Sequence, residues 1–242
     1  MTMLARPSAE GCGPVGRGPE LASLFRAAGG LTPAEVHAED LADVADTLRR
    51  VAACGPYFTV STGPVAEPGW RPVRALYEDS AVLAGLVERV RARIGAAQPR
   101  VAASIMFQGY AARLWSVSLG ALVRDGRLPD LHPDGLLWRD QDGSVRLHLQ
   151  RTEGWRGAHL ENVLAGTVLV GHLTPLIRAV HRLGPLSDRL LTQEPLRGAV
   201  EVHPDGGHRR CSCCLFYRVP GGGLCGDCAL TRSPTTRTGP GA

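Results

Sequence analysis

Apolar and polar positions along this chain follow distinct rhythms, and each rhythm predicts an element. Between Asp79 and Gly95 apolar residues recur at helical spacing, with Leu83, Leu86, Val87, Val90 and Ile94 on one stripe. From about Arg100 to Arg124 the sequence is apolar on most sides and closes at Asp125 and Gly126, the pattern of a buried helix. An earlier helix opens well at Thr32, Pro33, Ala34 and Glu35: Thr can cap, Pro suits the first turn, and Glu completes a capping box. It is expected to run, with a possible break, to about Cys54, where Gly55 and Pro56 end it. Another helix spans about His159 to Leu183, with Pro175 as a kink or split and Gly184 and Pro185 as its stop. A short one is expected around Ser187 to Thr192.

Strand rhythm is rarer. Gly135 to Arg139 and Ser144 to Leu149 flank Asp140–Gly143 and read as a hairpin, and Tyr57 to Thr62 reads as a short strand. From Gly198 onward the periodicity stops, and Pro204 to Gly207 is a turn. The expected fold is therefore α+β. A mainly helical body over 19–197 carries a small antiparallel hairpin, followed by a loop-rich metal-binding module over 198–232. Tails at 1–18 and 233–242 are expected to be disordered.

The apolar stretch from Val101 to Val123 is long enough to cross a bilayer. Arg113 sits inside it with Gln108 and three serines, and an arginine near a bilayer centre costs about 2.5 to 3.5 kcal/mol on insertion scales. A core helix is the better reading, so no transmembrane segment is expected, with contact at a membrane surface left open. The first eighteen residues lack the apolar run of a secretory signal, which places the protein in the cytoplasm with its thiols reduced. All 27 basic residues are arginine, which reads as GC-rich coding bias, and a formal charge of +4 does not argue for nucleic acid.

Candidate chemistry lies in the cysteines. Five of the seven fall between positions 211 and 228, as Cys211, Cys213, Cys214, Cys225 and Cys228. Thiolates packed this tightly in a chain otherwise poor in cysteine point to a metal. Two four-ligand sets are available. Cys211, Cys214, Cys225 and Cys228 form two Cys-x2-Cys knuckles, as in a zinc ribbon. Cys213, Cys214, Cys225 and Cys228 form a vicinal pair followed, ten residues on, by one knuckle. Neighbouring side chains on an extended strand point to opposite faces, so the second set requires a bent backbone, and geometry alone favours zinc.

The residues around these cysteines reverse that order. Arg209, Arg210, the vicinal pair, the aromatic stretch to Arg218, and Cys225-Gly226-Asp227-Cys228 resemble the C-terminal signature of the FhuF-type ferric-siderophore reductases. The resemblance is specific over about twenty residues; elsewhere it extends to length and helical character. It implies that Cys213, Cys214, Cys225 and Cys228 hold a [2Fe–2S] cluster serving as both cofactor and redox centre. It further implies one-electron reduction of Fe(III) carried by a siderophore, of hydroxamate type, with release of Fe(II) in the cytoplasm. Cys211 departs from the pattern as an extra thiol and keeps the zinc set open. No nucleotide or flavin fingerprint is present, so the electron is expected from a separate ferredoxin or flavodoxin.

Gly221, Gly222, Gly223 and Gly226 would let backbone N–H groups approach sulfur, and Arg209, Arg210 and Arg218 would offset the cluster's negative charge. His208 could imitate a nitrogen ligand but reads as a surface histidine. Cys12 and Cys54 are isolated thiols. His148, His159 and His172 lack ligand companions, and Trp115, Trp138 and Trp155 read as packing. The lining of a substrate groove is not legible at this level.

Overall fold

The computed structural model describes residues 37–38, 41–157, 160–184, 200–202, 208–210, 213–226 and 228–230. In chain order its elements begin with β1 (His37–Ala38), α1 (Leu41–Ala52), a 3-10 turn (Pro56–Phe58), β2 (Ser61–Thr62) and β3 (Arg71–Pro72). Three helices follow: α2 (Arg74–Glu78), α3 (Ser80–Ile94) and α4 (Pro99–Asp125). Next come β4 (Leu128–Pro129), β5 (Leu136–Gln141), β6 (Ser144–Leu149) and β7 (Gly154–Arg156). A continuous helical stretch is built from α5 (Leu160–Ala165), a π-helical segment (Gly166–Leu173) and α6 (Thr174–Leu183). The chain ends in β8 (Val200–Val202), β9 (His208–Arg210) and a 3-10 turn (Phe216–Arg218). This is an α+β fold, mainly helical, with a small mixed sheet and a loop-rich C-terminal region.

The capping chemistry read from the sequence sets the ends of α3. The Asp79 carboxylate accepts from the amides of Ala81 and Val82 at 2.8 and 3.2 Å, and the chain turns left-handed at Gly95. Its stripe of Leu83, Leu86, Val87 and Val90 is buried. α4 is the central element, 27 residues and about 40 Å long. Its buried residues, from Val101 to Ala121, lie on most sides because α1, α3, β4, β6 and the C-terminal turn all pack on it. Arg113 is the charge in the middle of this helix. Its guanidinium donates to the Pro56 carbonyl at 2.7 Å and the Ser144 hydroxyl at 3.3 Å and lies over the Tyr57 ring. A buried arginine satisfied by protein groups belongs in a protein core.

The hairpin has the expected strands and a tighter turn. Ladder pairs continue to Asp140 with Val145 and Gln141 with Ser144, leaving only Asp142 and Gly143 in the turn. Both take positive φ, 53° and 73°, as a two-residue type I′ turn demands. β2 adds in parallel to β6 and β3 in antiparallel to β5, while β1, β7 and β4 form a second, antiparallel sheet.

Several expectations are corrected. His37 and Ala38 lie within the span expected to be helical, yet they pair as a strand with Arg156 and Trp155. The expected strand from Tyr57 is a 3-10 turn followed by two strand residues. After Gly198, where no pattern was visible, Val200–Val202 and His208–Arg210 form an antiparallel ladder. The capping residues Thr32 to Glu35, Cys12, His159, the Ser187–Thr192 helix, the Pro204–Gly207 turn and both tails lie outside the described residues.

Pro175 marks a change of helix type in the long C-terminal helix. The chain widens into a π-helix just before it, and α6 then begins with Pro175 in its first turn. A proline there gives up one helical hydrogen bond and crowds the carbonyl four residues back, which the wider turn accommodates. Leu160–Leu183 is long and apolar enough to cross a membrane, with a mean hydropathy of 1.6 over its most apolar stretch. Leu160, Leu164, Val168, Leu173, Leu176, Ala179 and Val180 nevertheless pack into the core.

The π-helix also carries His172, which is fully buried. Its Nε2–H donates to the Leu131 carbonyl at 2.6 Å, which leaves Nδ1 as acceptor for the hydroxyls of Tyr77 at 2.6 Å and Tyr110 at 3.0 Å. The two hydroxyls are 2.5 Å apart. Burial pushes the His172 pKa down to about 4, so the ring is neutral and structural, as the sequence suggested. His148 is likewise satisfied, by Ser61 and the Gly63 carbonyl, both at 2.9 Å.

An unfolded chain takes up a proton at His172 near pH 6.5, whereas the native site refuses it down to about pH 4. Its contribution is therefore complete above pH 6.5 and declines as pH falls through that window. Urea unfolding at pH 7 and pH 5 should show a loss of about 2 kcal/mol from this group. His172→Gln should flatten that difference; an unchanged slope would remove His172 from the account.

Candidate metal centre

The chain enters the cysteine module from β9, whose register pairs Arg209 with Glu201. Cys211 lies outside the described residues. Cys214 and Cys228 are buried at 4% and 9% exposure, while Cys213 and Cys225 are partly exposed. Immediately after the vicinal pair, Leu215 takes φ 67° and ψ 9°, a left-handed conformation that costs a non-glycine residue about 1 to 2 kcal/mol. This is the bend that the vicinal pair requires if both sulfurs are to serve one site.

The bend continues into a wound loop. Arg218 N–H donates to the Leu215 carbonyl at 2.9 Å, Val219 to Phe216 at 3.0 Å and Gly222 to Val219 at 2.8 Å. Gly222 has no room for a side chain, since a β-carbon would lie 2.5 Å from the Phe216 carbonyl oxygen. Gly221 takes φ 69°, whereas Gly223 and Gly226 have no neighbour within 4 Å of a β-carbon. The steric need for glycine is therefore local to Gly221 and Gly222, narrower than the sequence suggested. A second turn closes at the knuckle, where the Cys228 amide donates to the Cys225 carbonyl at 3.1 Å.

These turns bring two of the sulfurs into contact. Cys214 Sγ lies 3.5 Å from Cys225 Sγ, and the nearby charge of Cys228 acts on the Cys213 thiol. Two thiolates on one tetrahedral metal with bonds of about 2.3 Å sit about 3.8 Å apart, close to the observed separation. Burial pushes the Cys213 thiol up, and the charges of Cys228 and Cys214 push the same way, while the Leu215 amide opposes them. That amide donates to Cys213 Sγ and the Leu230 amide donates to Cys228 Sγ, both at 3.4 Å. Both bonds run to the amide two residues on.

Among the described residues no three His, Cys, Asp or Glu side chains gather as the ligands of one ion. A [2Fe–2S] cluster takes four thiolates, two for each iron, so the residues present fit that group.

Residues 210–230 match the FhuF 2Fe-2S C-terminal domain, and the cysteines at 213, 214, 225 and 228 fit its motif. The C-terminal segment is a FhuF-type [2Fe–2S] domain. Its cofactor is therefore a [2Fe–2S] cluster. No curated protein matches the chain.

The FhuF-type domain rests on α4. The Ser104 hydroxyl, fully buried, donates to the Cys214 carbonyl at 2.9 Å, and Leu215 packs against the core. Arg218 donates to the Gln98 side chain at 3.0 Å, just ahead of α4, and to the Tyr217 hydroxyl at 3.0 Å. Sequence reasoning missed Ser104 and Gln98 as parts of the site. A serine within an apolar helix carries no local signal, since its partner is 110 residues away.

Two substitutions test this support. Gly222→Val should strip most of the iron from the purified protein, because the loop cannot close around the added side chain. Ser104→Ala removes a buried hydrogen bond to the Cys214 carbonyl and should lower unfolding stability by about 0.5 to 1.5 kcal/mol while the body keeps its helical signal. Wild-type iron content in both variants would mean that the loop and α4 do not position the thiols.

Proposed function

We propose that the protein is a ferric-siderophore reductase, passing one electron to Fe(III) held in a chelate, with Cys213, Cys214, Cys225 and Cys228 holding its [2Fe–2S] cluster. The observation that carries this reading is the match of 210–230 to the FhuF 2Fe-2S C-terminal domain, supported by the 3.5 Å approach of Cys214 Sγ to Cys225 Sγ. When bound, the cluster supplies one-electron redox chemistry. The chain's own residues shape the conditions for it. The Leu215 and Leu230 amides donate to sulfur and so favour the more negative, reduced state. Burial of Cys214 and Cys228 keeps water from one side, while the partly exposed Cys213 and Cys225 leave the other side open to partners.

The electron balance is simple. A ferredoxin or flavodoxin gives up one electron, and siderophore-bound Fe(III) becomes Fe(II). Fe(III) prefers hard oxygen donors such as hydroxamates, and Fe(II) is held by them far less tightly, so the metal is released. The reaction would take place in the cytoplasm, where thiols stay reduced.

Protein purified without oxygen should be reddish-brown, with two irons per chain. After reduction, adding a ferric hydroxamate should restore the oxidised spectrum and yield Fe(II) trapped by a ferrous chelator. Serine at Cys213, Cys214, Cys225 or Cys228 should remove the colour, whereas Cys211→Ser should keep it. A colourless protein with one zinc per chain, which loses its metal on Cys211→Ser and keeps it on Cys213→Ser, would replace this reading with a zinc ribbon.

A further inference from the structure

Beside the cysteine module a cavity of about 390 Å³ opens between α3, the start of α4 and the end of α6. Val87, Ala103, Val180 and Leu183 supply apolar wall, and Gln98 and Arg100 supply the polar part. It adjoins the thiol site along the chain itself. Ala103 precedes Ser104, whose hydroxyl holds the Cys214 carbonyl, and Gln98 binds Arg218, four residues beyond Cys214.

The polar part has an unusual charge arrangement. The Gln98 side-chain oxygen accepts from Arg100 Nε at 2.8 Å and from Arg218 at 3.0 Å, so two guanidiniums converge on one neutral amide. Neither has a carboxylate partner among the described residues. Glu88, next to the cavity wall on α3, is already held by Arg91 through bonds of 2.8 and 2.6 Å. Two like charges held close without a counter-ion are a ready receptor for an anion, and guanidinium matches planar oxygen anions better than any other side chain. A concave, mostly apolar cavity of this size takes a small molecule or one arm of it, whereas an acidic protein would meet a flatter surface.

Resting on the reductase reading, we infer that this cavity docks the ferric chelate and that Arg100 and Arg218 select chelates of net negative charge. The apolar wall receives an organic arm of the chelate, and the guanidiniums leave Gln98 to bind its anionic oxygens. Arg218 belongs to the cysteine module and Arg100 to the body, so a bound anion ties the two together beside the thiols. Carboxylate-containing chelates, which keep negative charge around Fe(III), meet this requirement; a neutral trihydroxamate does not use it.

Gallium(III) chelates test this without redox chemistry. A triply negative gallium tris-catecholate and a neutral gallium trihydroxamate are titrated into the cluster-loaded full-length protein, with binding followed by calorimetry and cluster content by visible absorbance. The anionic chelate should bind about tenfold tighter than the neutral one. Arg100→Glu, which leaves the Arg218 contact with Gln98 in place, should weaken that preference with absorbance unchanged. Arg100 is exposed, and glutamate is well placed in the first turn of a helix, so folding should survive. Ala103→Trp, which fills the cavity, should weaken both chelates. Equal affinity for the two chelates, or charge reversal and cavity filling without effect, would overturn the inference. So would variants that slow only reduction by an acidic electron carrier, because the arginines would then serve the donor. Binding as expected, with an anionic ferric carboxylate chelate and the ferric trihydroxamate both failing to reoxidise reduced protein, would sink the reductase reading and leave the cavity assignment standing.

Discussion

A centre that uses Cys213 and Cys214 together needs two adjacent side chains to meet at one place, and neither extended nor helical backbone allows it. The chain resolves this by turning left-handed at Leu215, a residue ill suited to that conformation. Glycine would relieve the strain but would give up the side chain that packs into the core. Leucine keeps the bend and the anchor at the same residue. The wound loop that follows, the bare Gly222 and the short knuckle at Cys225 and Cys228 all serve to close the chain back onto that bend.

A module of this size cannot bury enough apolar surface to hold such a strained turn alone. Chains below about 40 residues depend on metals, disulfides or partners. Here the support comes from the metal centre on one side and α4 on the other. Ser104, Leu215 and Gln98 each join the two parts, and each contact falls in or just before the first third of α4 or at the bend itself. The far part of the same helix carries Arg113, bound to the 3-10 turn and the hairpin, and Asp125, which accepts from Thr47 and Arg50 of α1. One rigid rod thus fixes the thiols relative to the whole body, and ordering of the centre and ordering of the body become coupled events.

How much of this the sequence disclosed follows from the range of the forces involved. α3, α4 and the hairpin were legible because their signals are local: an Asp79 cap, glycine stops, apolar stripes and an Asp-Gly turn. The strands β1, β8 and β9 were not, since two or three residues have no rhythm, and their only reason to extend is a ladder formed with residues distant in sequence or placed across a loop. The four cysteines were legible because spacing and thiolate chemistry are written in the chain. Ser104, Gln98 and the Leu215 bend were not. They are a polar residue in an apolar helix, a cap position and a leucine in a glycine conformation, and each has meaning only once its distant partner is placed.

The long Leu160–Leu183 helix shows why apolar composition alone misleads. Hydropathy would let it span a bilayer, yet its centre carries a histidine with every ring nitrogen matched by a protein group. Such a match is possible only where Tyr77 of α2, Tyr110 of α4 and the Leu131 carbonyl reach one point from three directions. A buried polar network of this kind tolerates no alternative register, because a shift of one residue would strand each member unpaired. The π-helical turn moves His172 into that register and makes room for Pro175 at the start of α6. α6 then places Val180 and Leu183 opposite Ala103, which forms one wall of the cavity beside the thiols. The widened turn, the neutral histidine and the cavity are therefore consequences of a single packing solution around α4.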